Sequence, residues 1–114
     1  IYVQDVVIGL VACALKGLPG EAYNLASGVD TKIIDLATYI NKATGNKASF
    51  LKKPARDWDN SGRRYGSTSK SEKELNFRAK TDIIKGINET VEWTKKNKSY
   101  IQTMIQKHNI FLNA

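Results

Sequence analysis

Cysteine, histidine and proline are scarce in this 114-residue chain, which holds one Cys13, one His108 and two prolines, Pro19 and Pro54. A lone cysteine excludes an internal disulfide and fits a reducing, cytoplasmic compartment. One His and one Cys exclude a His/Cys metal centre within the chain. No Ser-His-Asp set forms around His108, which stands beside NIFLNA and reads as an exposed tail residue. No apolar run approaches the roughly 20 residues that a membrane helix needs. No glycine-rich phosphate loop occurs either, because Gly17, Gly20 and Gly28 have the spacing of turn glycines. Methionine is missing from position 1, and the opening IYVQDVV has no polar lead-in. The expectation is a single segment, residues 1–114, belonging to a longer protein.

Positive charge is abundant and localised. The net charge is +7. Between Lys42 and Lys80 stand eleven Lys/Arg against four acids, so that third of the chain carries the whole excess. Such a field favours an anionic partner, whether phosphate, nucleic acid or lipid head group. A basic surface that is merely solvated is the plain alternative. Hydrophobic content of 41% is enough for a globular core, so disorder is not the explanation of the charge.

Patterning predicts a helix after Asp5, which suits an N-cap, running through VVIGLVACAL and stopped by Gly17. It is apolar on nearly every face, the mark of a buried helix, with Cys13 in its core. In so short a chain, part of its cover is expected to lie elsewhere. Ala22–Ala26 reads as a short strand ending at Ser27-Gly28, and ASFLKKP (48–54) as another. Between them a helix is predicted from about Thr31 to Thr44, capped by Thr31 or Asp30 and closed by Gly45. Ser69-Lys70-Ser71-Glu72 matches a capping box opening a two-turn helix that ends near Leu75-Asn76. A last helix opens at Lys80 or Thr81, with a break expected between Asn97 and Ser99. The fold class is therefore α/β and helix-dominated, with about four helices and two or three short strands.

The chemistry concentrates in the loop RDWDNSGRRYGSTSKSEKELNF, residues 56–77. Arg56 presents a planar fork that matches two phosphate oxygens. Asp57 and Asp59 flank Trp58 and offer acceptors for sugar hydroxyls, while Arg63 and Arg64 add positive potential. Arginines interleaved with carboxylates suit a diphosphate bearing hydroxyl groups better than duplex DNA, whose backbone the carboxylates would repel. Asp57 and Asp59 are paired acids of the kind that do acid/base work, but a highly charged, exposed loop gives little reason to expect it of them.

The order IYVQDVV, GEAYNLASG, PARDWDNSGRRYGSTSKSEKELNF, INETVEWT resembles the C-terminal part of extended short-chain dehydrogenase/reductases, the NAD-dependent nucleotide-sugar epimerases and dehydratases. The likeness covers roughly residues 1 to 96. It implies part of a substrate-binding lobe plus one strand joining the Rossmann sheet of an absent N-terminal domain, which becomes the chain's natural partner. It implies that Arg56 binds the diphosphate of a nucleotide sugar, that Asp59 approaches the ribose or sugar, and that Arg63 and Tyr65 line the same side. Asp5 becomes a structural cap and Trp93 a core residue. The glycine-rich NAD loop, the Tyr-x-x-x-Lys catalytic pair and a second phosphate-binding Arg would lie upstream. No catalytic, cofactor-binding or metal-binding residue is then expected here, and NAD belongs to the parent enzyme. This sequence departs from the family pattern at Asp59 and Asn60, which compete for one role, and at Ala26, Ser67 and Asn76. A UDP-glucose 4-epimerase-like parent is the leading reading, with self-association of this piece or a homodimer of the parent. A small basic nucleic-acid-binding or protein-interaction module is the alternative.

Overall fold

The computed structural model describes residues 1–54, 57–58, 62 and 65–108. Five helices occur among them: α1 (Val3–Lys16), α2 (Ile33–Thr44), α3 (Ser69–Leu75), α4 (Ile83–Lys96) and α5 (Lys98–Lys107). Packing pairs α1 with α3, α2 with α4, and α4 with α5.

The two expected strands are not formed among the described residues. A strand exists through its ladder, and neither 22–26 nor 48–54 finds a backbone partner here. Both remain irregular connections, so the helix-dominated part of the expectation stands and the strands do not.

The helix starts also differ from expectation. α1 opens at Val3 with Val6 N donating to Tyr2 O, so Asp5 sits inside its first turn and does not cap it. Asp5 is 4% exposed, and its two carboxylate oxygens accept the amides of Lys80 (3.1 Å) and Thr81 (3.0 Å). It caps a distant segment. Lys32, not Thr31 or Asp30, flanks α2, and it makes no side-chain cap. The capping box expected at Ser69 does not form. Thr68 is the N-cap of α3, and its hydroxyl meets the Glu72 carboxylate directly at 2.7 Å. Asp82 opens α4, accepting from the amides of Ile84 and Lys85, both at 2.9 Å. The other ends match their signals. Gly45 and Asn76 close α2 and α3 in the left-handed conformation, and Asn97 separates α4 from α5.

The core is small and lies where α3 turns back onto α1. Leu75 is 1% exposed and Phe77 3%. The left-handed Asn76 between them lets Phe77 N donate to Ser71 O (3.1 Å), folding both apolar side chains to one side. Lys16 Nζ reaches the Leu75 carbonyl at 3.3 Å, satisfying an orphan acceptor at the end of α3. Gly9 makes the approach possible. A methyl group there would stand 2.8 Å from both δ-carbons of Leu25 and 3.1 Å from Phe77 Cε2. Gly86 does the same for α4, whose backbone rests against the Tyr2 ring. The Tyr2 hydroxyl hydrogen-bonds to Glu89, which raises its pKa above the ordinary value.

Much apolar surface is left outside this core. Val3, Val7, Leu10, Val11 and Leu15 of α1 are exposed, and so is Trp93, at 54%. The expected burial of α1 and the expected core role of Trp93 are therefore not realised within these residues. Among the described helices, α3 is the one that packs against α1, along one face. The accessible surface is 9752 Å², whereas a self-contained globule of 12.7 kDa exposes about 6,200 Å². The radius of gyration, 17.6 Å, compares with about 13 Å for a compact chain of this length.

Burial raises the Asp5 pKa, but the hydrogen bonds from Lys80 and Thr81 outweigh it and hold the carboxyl below its ordinary value of 3.8. A depressed carboxyl pKa contributes stability above the unfolded value and loses it as pH falls through the folded one. Asp5→Asn leaves one amide facing another N–H, and unfolding in urea at neutral pH should show a loss of about 2 kcal/mol. Wild type should also weaken from below about pH 4 more steeply than Asp5→Asn. Parallel acid profiles for the two would contradict this role.

Candidate nucleotide-binding face

Residues 21–29 leave α1 and run along the start of α3, and the described end of the charged loop, residues 65–68, runs beside them. The two segments touch closely. Asn24 Nδ2 donates to Ser67 O at 3.3 Å. A methyl group on Gly66 would stand 3.5 Å from Asn24 Cβ, and one on Gly28 the same distance from Thr68 Cγ2. Gly28 has φ +72, a conformation that glycine adopts without strain and that turns the chain away after Ser27.

Between these walls lies an open cleft of about 240 Å³, lined by Ile1, Leu25, Ala26, Ser27, Gly28, Val29, Tyr65 and Gly66. Tyr65 is 61% exposed and contributes its ring to one side. It is the one of the four expected site residues whose place can be reported. Arg56, Asp59 and Arg63 lie outside the described residues. Asp57 and Trp58 form an exposed turn in the same loop.

α3 is tied to the opposite wall by a polar cluster that the sequence reading did not single out. Lys70 Nζ pairs with the Glu21 carboxylate, donates to the Ala22 carbonyl at 3.1 Å and sits 4.7 Å from the Tyr23 ring centroid. The Tyr23 hydroxyl accepts from Leu18 N (3.1 Å) and donates to Glu74 (2.9 Å). The hydrogen bond between Lys70 and Glu21 lowers the Glu21 pKa and raises that of Lys70. On the other side of α3, Glu72 accepts from Thr68 and from Arg78 (2.7 Å), which together lower its pKa. Glu21 lies 49 residues before its cation. No local pattern announces that pairing.

These pairs change the reading of the basic region. Lys70 and Arg78 neutralise Glu21 and Glu72 within the fold, so they are not part of a uniform cationic surface. Among the described residues no cluster of three His, Cys, Asp or Glu could hold a metal ion. No described helix is long and apolar enough to cross a membrane.

Known proteins share this arrangement. A crystal structure of the Bordetella bronchiseptica enzyme WbmF in complex with NAD+ and UDP matches 96% of this chain at 50% identity and a TM-score of 0.81. The chain is similar to the C-terminal part of extended short-chain dehydrogenase/reductases. Within that family it aligns with the C-terminal part of UDP-glucose 4-epimerase-like, NAD-dependent enzymes. A bifunctional UDP-glucose 4-epimerase and UDP-xylose 4-epimerase of Pisum sativum is 31% identical over 102 residues, covering 85% of this chain and 29% of its own length. The structure of epimerase Mth375 from Methanothermobacter thermautotrophicus matches 88% of the chain at 33% identity, with a TM-score of 0.83 and 30% of its own length covered. No family model matches the chain. The chain thus spans about a third of the length of these relatives.

Proposed function

We propose that this chain is the nucleotide-sugar-binding C-terminal part of a cytoplasmic NAD-dependent epimerase or dehydratase. The observation that carries the reading is the 50% identity, over nearly the whole chain, to an enzyme whose crystals hold UDP and NAD+. In this reading Arg56 forks onto the diphosphate, Arg63 adds positive potential, Asp59 accepts from ribose or sugar hydroxyls, and Tyr65 forms the wall of the cleft beside them. Among the described residues, the left-handed glycines Gly20, Gly28, Gly45 and Gly62 lie far apart in the sequence and do not make the phosphate-cradling loop that NAD needs. The cofactor's site, and with it the reaction, belongs to the rest of the parent enzyme.

The uncovered apolar face of α1 is where that Rossmann domain would dock. Residues 22–26 would then find in its sheet the ladder partner they lack here. Docking of this kind removes apolar area from water at about 25 cal/mol per Å², enough for α1 to drive it. The same exposed face drives self-association when the chain is alone. Sedimentation at high concentration should show dimers or larger species, and a clean monomer would contradict this.

Arg56→Ala in the full-length enzyme removes a charge-assisted contact and should raise the nucleotide-sugar KM about ten- to hundred-fold. An unchanged KM would take Arg56 out of the site. Filter binding separates the remaining alternative, because a nucleic-acid module would show steep, salt-dependent affinity that Arg56→Ala scarcely alters.

A further inference from the structure

We propose that Asn24 and Lys70 are positioning residues that hold the two walls of the cleft in register, so that together they set nucleotide affinity. The inference deepens the nucleotide-binding reading above and rests on it. Neither side chain lines the cleft. Each bridges its walls from behind. Asn24 donates to Ser67 O, one residue beyond the cleft-lining Tyr65-Gly66 pair, and its side chain packs against Gly66. Lys70 is in the first turn of α3, directly after that wall, and grips Glu21 and the Ala22 carbonyl at the root of the opposite wall.

No described ladder joins the two segments. Their spacing therefore depends on side chains reaching across: the Asn24 amide at one level and the Lys70 ammonium at the other. A site assembled this way is preorganised, and a ligand that binds it does not have to order the walls itself. Loosening either bridge makes the ligand bear that ordering, which appears as weaker binding with little change in turnover once substrate is bound. Lys70 carries more of the constraint, because it makes a charge-assisted pair, a carbonyl contact and a cation–π contact from one atom.

The test is UDP titration of the full-length enzyme by calorimetry, with steady-state kinetics and thermal unfolding on the same samples. Asn24→Asp keeps the shape but replaces the donor with a second acceptor facing Ser67 O. It should raise the UDP Kd about five-fold, and Lys70→Met about ten-fold, with kcat held within about two-fold. Lys70→Arg can still reach the Glu21 carboxylate and the Ala22 carbonyl, and it should restore affinity. Unchanged UDP affinity in Asn24→Asp and Lys70→Met would overturn the inference. So would a fall in Tm and kcat together with no change in Kd, because that marks a purely structural role. Arg56→Ala serves as the reference. If it weakens UDP while the other two do not, the nucleotide reading stands and this inference falls. If wild type does not bind UDP, the nucleotide reading falls and takes this inference with it.

Discussion

The reversal of the chain at Asn76 is the constraint on which the described structure depends. A single left-handed residue ends α3 and turns Leu75 and Phe77 onto α1, where Gly9 leaves room for Phe77. Those are the two apolar side chains that the described residues bury almost completely. With so little core, polar ties fix the rest: Lys16 on the Leu75 carbonyl, Asp5 on the amides leading into α4, Lys70 on Glu21. Each tie spans at least 49 residues, so the chain is cross-linked where it is thinly packed.

This distribution of contacts suits the place within a larger enzyme that we propose for the chain. The surface is half as large again as a compact globule would expose, and the proposed docking of α1 against another domain would cover part of it. The interior contacts serve a different end. They bring residues 24–28 alongside 65–68 and set the end of the arginine-rich loop against a cleft. On the proposed reading, stability from docking falls to α1 and geometry for binding to α3.

Local features were legible in the sequence because their causes are local. The left-handed caps at Gly45 and Asn76 and the break at Asn97 follow from what those residues do to a helix end. The capping box read at Ser69 is replaced by other bonds, with the Ser71 hydroxyl donating to Thr68 O and the Thr68 hydroxyl to Glu72, and no local signal chooses Thr68 over Ser69 as the helix boundary. Asp5 was read as a cap for its own helix, whereas its amide partners lie 75 and 76 residues away. Gly9 carries no local signal, since its purpose is to admit Leu25 and Phe77. The expected strands do not form among the described residues for a related reason, because an apolar segment shows that it can pair but not that a partner is present. Of the candidate site, the loop itself was evident from its charge, and Tyr65 does line the cleft. The bridges through Asn24 and Lys70 were hidden by distance along the chain.

The account's central claim is that the cleft between residues 24–28 and 65–68 is where the parent enzyme receives a nucleoside diphosphate. Hydrogen exchange of that enzyme with and without UDP addresses it most directly. The account predicts slower exchange on UDP addition in both segments together. Protection confined to other parts of the enzyme, with these two segments exchanging as before, would contradict it.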